Sequence, residues 1–227
     1  MIVLDVETTG VDRQKCAMVS IGAVDFENPS RLFYAEVRVP EVWEPVPKPE
    51  PIPGIVQKYK SPHLYSGPVE ITKEAMKING FTIKQIRSPQ LPLLQDVLEH
   101  FIEWVQPIKD RTIAGENPMF DIEFMMNAMT RCGLRFHTGY RSVDLHSTSY
   151  VIRRGLGQRI PLRGDRSDIN SNDTITWCGL SPEPRPHNAL TGAKMEAECF
   201  HRILFGQGLF PEFLKRPFKH GSLWRAG

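Results

Sequence analysis

The chain has 227 residues, 41% of them apolar, with 28 Lys and Arg against 26 Asp and Glu. That length suits one full domain and is too short for two ordinary domains with a linker. The composition excludes collagen-like and disordered chains, and no apolar run nears the ~20 residues that cross a bilayer. A first strand at Ile2 leaves no room for a signal or transit peptide, which predicts a cytoplasmic protein. Cys16, Cys132, Cys178 and Cys199 lie far apart with no CxxC pair. They read as reduced packing residues rather than a zinc ribbon or a disulfide framework.

Charge is unevenly spread. Residues 1–150 hold 16 basic and 19 acidic side chains, and residues 151–227 hold 12 and 7. Arg153, Arg154, Arg159, Arg163 and Arg166 face a single acid, Asp165, in the stretch 151–166. Lys215, Arg216, Lys219 and Arg225 follow Glu212 with no acid among them. Such clusters suit a polyanion, since phosphates attract them without regard to sequence. A solvated loop and a fraying tail account for them equally well.

In chain order, Met1–Asp5 reads as a short buried strand, Ala17–Phe26 as a second and Leu32–Val37 as a third. Thr9-Gly10 and Asn28-Pro29-Ser30 supply the turns of a meander. From 40 to 62 the pattern breaks, with prolines at 45, 47, 49, 51 and 53. Proline cannot donate to a ladder, so an extended surface insertion of polyproline type is expected: an ordinary insertion first, otherwise a partner-docking arm or a flap over a site. Thr72–Asn79 then reads as a helix with Thr72 as N-cap and Gly80 as its stop. Leu91–Val105 is a longer amphipathic helix. Arg111–Gly115 is a strand, and 118–132 a helix opened by Pro118 and closed by Gly133. Arg141–Leu145 is a strand leading into a helix that ends near Arg154. Residues 155–172 read as a basic, poorly ordered loop, and Pro186–Leu204 as the last strong helix. Strands first and helices interleaved later indicate a mixed central sheet flanked by helices in one α/β domain.

Asp5 and Glu7 lie two apart on, or just leaving, the first strand. Alternation points both to one face, roughly 6.6 Å apart along the strand. Paired carboxylates at the end of an apolar strand repel, and a hard divalent cation such as Mg²⁺ or Mn²⁺ would remove that cost. Most DxE pairs, however, are solvated strand ends. Thr8-Thr9-Gly10 follows as a tight turn that lets backbone approach a substrate. Asp121, in Gly115-Glu116-Asn117-Pro118-Met119-Phe120-Asp121, sits in a first helical turn, where the dipole already favours a carboxylate. His187 opens the last helix, exposed and near its working pKa. It is either a general base or a helix-start histidine with no task.

Taken together, DVETTG (5–10), GENPMFD (115–121) and HNALTGAK (187–194) resemble the DEDDh-type, DnaQ-like 3′–5′ exonucleases. The resemblance runs over nearly the whole chain, and ITKEAMKINGFT (71–82) adds to it. It implies a ribonuclease-H-like fold and hydrolysis with two divalent cations, Mg²⁺ or Mn²⁺. It implies metal contacts for Asp5, Glu7 and Asp121 and a proton-accepting role for His187. Thr8, Thr9, Gly10, Asn117 and Phe120 would lie near the terminal nucleotide. The expected substrate is the 3′ end of single-stranded DNA or RNA, with DNA the guess. Arg153, Arg154 and Arg159 are the candidates for gripping its backbone. One exonuclease-like domain over 1–210, a basic tail over 211–227 and a possible polymerase or other replication or repair partner complete the expectation.

One position departs from the family. Its fourth carboxylate falls five residues after the histidine, where this chain has Gly192. Three explanations stand, in this order: an introduced, inactivating substitution; a natural loss that leaves a weak or dead nuclease still binding nucleic acid; or rescue by Glu196, one helical turn further on. Glu196 otherwise reads as a solvated helix carboxylate, and Asp144 as a helix cap. The enzyme and the catalytically dead binding module are then separated by comparing the chain with its Gly192→Asp variant on a labelled oligonucleotide. A soluble α/β protein with no nucleic-acid role is the bland alternative.

Overall fold

The computed structural model describes residues 1–46, 64–135 and 141–214. Strands β1 (Ile2–Thr8), β2 (Met18–Asp25) and β3 (Leu32–Glu36) form the antiparallel meander. A two-stranded ladder of β4 (Val42–Trp43) and β5 (Gly67–Pro68) follows. Next come α1 (Lys73–Asn79), α2 (Ile83–Ile86), α3 (Leu94–Val105), β6 (Ile113–Gly115), α4 (Met119–Arg131), β7 (Ser142–Asp144) and α5 (Leu145–Gly155). A small β8–β9 hairpin (Leu162–Arg163, Arg166–Ser167), α6 (Ser171–Trp177), α7 (Ala189–Phe205) and a short 3-10 turn (Pro211–Phe213) follow among the described residues. The main sheet runs in the order β3-β2-β1-β6-β7, with β6 and β7 parallel to β1.

Alternation along β1 divides the core. Ile2, Leu4 and Val6 join Val97, Leu98, Phe101, Phe124 and Met125 in a cluster on the α3/α4 face. Val3 joins Ala193, Ala197, Phe200 and Ile203 of α7 on the other face. Asp5 and Glu7 share Val3's parity, so the same alternation turns them toward α7. The start of α7 rests directly on β2. A side chain on Gly22 would bring its Cβ within 2.1 Å of the Ala189 backbone. That backbone contact fixes how far α7 reaches across the carboxylates of β1.

Several local expectations hold. Thr72 caps α1, accepting from the Ala75 amide, and Gly80 ends the helix in the left-handed region at φ 74°. Asp144 caps α5 through the amides of His146 and Ser147. All four cysteines are free thiols. Others need correction. The first strand does not stop at Asp5 but continues to Thr8, so Glu7 lies within the sheet. The basic stretch 155–172 is not a featureless loop. It holds the β8–β9 hairpin and ends in α6, which opens on an Asn170–Asp173 capping box. The last helix starts at Ala189 rather than Pro186. Asn188 is the cap, which leaves His187 just outside the helix.

The alternating prolines from 47 onward, and the basic tail beyond 214, lie outside the described residues. Residues 209–213 are anchored: Glu198 accepts from the Leu209 and Phe210 amides, and the Arg202 guanidinium donates to the Phe213 carbonyl. Among the described residues, no helix is long and apolar enough to cross a membrane.

Candidate active site

The C-terminal end of β1 opens into a cavity of about 610 Å³. Asp5, Glu7, Asp121 and His187, dispersed over 183 positions of sequence, all line it. Each is delivered by a different piece of local structure. Strand parity presents Asp5 and Glu7. Asp121 comes from the first turn of α4, where its Oδ1 accepts the Val6 amide at 3.0 Å and ties the helix to β1. His187 stands before the α7 cap, its amide donating to the Ile78 carbonyl at the end of α1.

Four more carboxylates line this cavity: Glu116, Glu183, Glu196 and the exposed Glu74. Glu196 is 7% exposed, which overturns its reading as a solvated helix residue. Oε2 of Glu116, Oε1 of Glu183 and Oε2 of Glu196 are buried with no hydrogen-bond partner. Apart from Glu74, six acids crowd a space in which ordinary ionisation is costly. Burial, then Glu196, Asp121 and Glu7, hold Asp5 well above the usual carboxylate range. Glu7 is pushed up to about 8 by burial and then by Glu183 and Asp121. Burial takes Asp121 to about 7 against the opposing Val6 amide, and Glu116 and Glu183 also reach about 7, chiefly by burial. Glu196 is raised well above its ordinary value by burial, Asp121 and Glu116.

Buried oxygen donors without partners, repelling one another around an accessible cavity, are the chemistry of a hard divalent cation site. The donor set therefore fits Mg²⁺ or Mn²⁺. Among the described residues, Glu7, Glu183 and His187 also bring one ligand atom each to within 4.8 Å of the others. His187 Nδ1 lies 3.4 Å from Glu183 Oε2, and burial and Arg185 lower its pKa. A neutral imidazole, oriented through one nitrogen and free to take a proton at the other, results.

The remaining site candidates divide. Thr8, Gly10, Asn117 and Phe120 line the cavity. Asn117 holds φ at 52°, in the left-handed region, with its amide bonded to Asp144 Oδ1 at 3.0 Å. Asp144 thus braces the cavity wall as well as capping α5. Thr9 does not face the cavity. It is fully buried, donating to the Glu70 carbonyl and accepting from the Ala17 amide.

Arg153 is also misassigned as a backbone grip. It is 7% exposed, donates to the Asp173 carbonyl at 3.0 Å and lies 5.0 Å over the Trp177 ring. Its stem and guanidinium fasten α5 to α6. Arg153→Ala should destabilise the fold by about 1–3 kcal/mol, since it removes a part-buried hydrogen bond and the packing of a buried stem and guanidinium against Trp177. The salt slope of oligonucleotide binding should not change. Denaturant melts and binding at several salt concentrations check both, and a flattened slope would return Arg153 to the interface. Arg154 and Arg159 are exposed.

Glu116 and Glu183 are cavity acids that the sequence motifs do not single out, while Glu196 enters there only as the last-ranked substitute for the missing carboxylate. Glu183 carried a signal, standing four residues before His187. Glu116 lies inside GENPMFD. Nothing in the sequence reports that Glu196 is buried.

Residues 1–204 match the family model described as a 3′–5′ exoribonuclease Rv2179c-like domain. No curated protein sequence matches the chain. Among solved structures, E. coli exonuclease I in complex with a dT13 oligonucleotide is similar at TM-score 0.61 and 14% identity. The similarity covers 88% of this chain and 40% of that one. The zinc-bound E. coli exonuclease I–single-stranded DNA complex gives 0.60 at 13% identity, with 88% and 40% covered. A 3′-exonuclease that recognises the 3′ end of a histone mRNA stem-loop gives 0.58 at 12%, covering 88% of this chain and 62% of that one. The chain thus spans about two fifths of exonuclease I. The mixed sheet with flanking helices is the ribonuclease-H-like fold of these exonucleases.

Proposed function

The chain belongs to the Rv2179c-like 3′–5′ exoribonuclease domain family, and from that premise we propose that it is a divalent-metal-dependent 3′–5′ exonuclease. Its substrate in this reading is a single-stranded 3′ end, with RNA ahead of DNA. The observation that carries the proposal is the convergence of Asp5, Glu7, Asp121 and His187 on one cavity. RNA precedes DNA because the matched family is described as exoribonucleolytic, although exonuclease I is a protein solved with DNA.

Bound Mg²⁺ or Mn²⁺ ions would supply Lewis acidity to the scissile phosphate and a lowered pKa to the attacking water. Asp5, Glu7 and Asp121 would hold them. His187, steered by Glu183 at Nδ1, would take the water's proton at Nε2. The new P–O bond forms as the P–O3′ bond breaks, releasing a nucleoside 5′-monophosphate and a strand one residue shorter with a 3′-hydroxyl. Asn117 and Phe120 would seat the terminal nucleotide. The exposed Arg154 and Arg159 would meet the upstream phosphates.

The test is a time course on 5′-labelled single-stranded RNA and DNA in Mn²⁺, Mg²⁺ and EDTA. Stepwise shortening with either metal, faster on RNA, and none in EDTA is expected. Binding without shortening in either metal would instead identify a catalytically dead module. Absence of binding at low salt would remove both.

A further inference from the structure

We infer that Glu196 takes the place of the family's fourth metal-binding carboxylate, and that Gly192 is the vacancy which lets Asp5 and Glu196 share the cavity. The inference rests on the metal-dependent reading above. Positions 192 and 196 lie four apart on α7, so they share a face, about 6 Å apart along the axis. In a helix the Cα–Cβ bonds tilt toward the N-terminus, so a side chain covers the turn before its own Cα. Glu196 therefore leans back over the turn that carries Gly192, and its chain is one methylene longer than an aspartate's.

Two observations point to a ligand there. Glu196 is more than nine-tenths buried, lines the cavity, and has an Oε2 with no hydrogen-bond partner. A Cβ built on Gly115, at the end of β6, would lie 3.2 Å from that same oxygen. The carboxylate thus lies against the strand next to β1, on the cavity side. Gly192 is the reciprocal feature. A Cβ there would stand 2.1 Å from Asp5 Oδ2 and 2.9 Å from its Cγ. Asp5 occupies the space that any side chain at 192 would fill. The family's aspartate could enter only by displacing Asp5. Gly192 and Glu196 are thus one exchange rather than a lost ligand beside an unrelated acid. This reverses the ranking given by sequence, in which Gly192 marks inactivation and Gly192→Asp restores the enzyme.

The experiment is Mn²⁺ titration calorimetry on the full chain, with thermal melts in EDTA and in Mn²⁺. The variants are Glu196→Gln, Gly192→Asp and, as a surface control, Glu99→Gln on the exposed side of α3. Wild type and the control should bind Mn²⁺ alike. Glu196→Gln should bind at least tenfold more weakly. Its melt in EDTA should be no lower than wild type, because an isosteric amide removes a repelled charge, and Mn²⁺ should raise that melt less. Gly192→Asp should also weaken Mn²⁺ binding, by displacing Asp5. If wild type binds Mn²⁺ and Glu196→Gln binds it equally well, Glu196 is no ligand and this inference alone falls. Tighter binding or faster hydrolysis by Gly192→Asp would overturn it too, by showing that the missing aspartate was the defect. A wild-type chain that binds no Mn²⁺ would remove the metal-dependent reading and this inference with it.

Discussion

Asp5→Asn should lower the rate of 3′-end hydrolysis by about three orders of magnitude, a loss of about 4 kcal/mol of transition-state stabilisation. The fold should not suffer. The substitution keeps the shape of a side chain packed beside Gly192 and removes a charge that Glu196, Asp121 and Glu7 all oppose. A residue placed for folding behaves in the opposite way, since removing it costs stability. The divergence between the two measurements is therefore the diagnostic. Single-turnover rates on a labelled oligonucleotide, together with melts in EDTA, read them separately. Activity within tenfold of wild type, or a clearly lower melt in EDTA, would mean that Asp5 serves the fold and not the reaction.

In EDTA the protein should lose stability as pH rises from about 5 to about 8. Glu7 titrates near 8 in the fold against an ordinary 4.5, and Asp121, Glu116 and Glu183 titrate near 7. Between those limits the folded chain holds protons that the unfolded chain has released. Stability then falls with pH, and it levels off once these acids have ionised in both states. Asp5 and Glu196 are raised as well, so His187, held below its ordinary value, works the other way as one group against six. The melting temperature should fall across this range by several degrees, since each kcal/mol lost corresponds to about 2–4 °C for a chain of this size. Saturating Mn²⁺ should cancel the drop, because the cation binds the ionised carboxylates and its affinity grows as they lose protons. Melts across this range, with and without Mn²⁺, provide the check. A flat or rising profile in EDTA would show that the six acids do not share one desolvated space.

The site and the substrate chemistry connect through charge. Crowded carboxylates repel a phosphodiester when bare, and only a site that has taken up cations can admit one. In the proposed reading, metal uptake and nucleic-acid binding at the 3′ end should therefore be linked.

The sequence by itself determined the larger strands and helices and the motif residues. Thr72 and Gly80 bound α1 because capping and left-handed geometry are local properties, and Asp5 and Glu7 share a face because strand parity is local too. Order and spacing of DVETTG, GENPMFD and HNALTGAK were enough to bring out the family. Only the tertiary structure decided which charged residues are buried and against what. Arg153 reads like its neighbours Arg154 and Arg159 but is sealed against Trp177. Thr9 reads like Thr8 but turns into the core. Glu196 reads as a surface acid, yet α7 lies so close to the sheet at Gly22 and Gly192 that it is carried into the cavity. Periodicity reports which way a side chain leaves its own backbone. How near another backbone comes to meet it is set by packing between segments distant in sequence, and no local pattern encodes that distance.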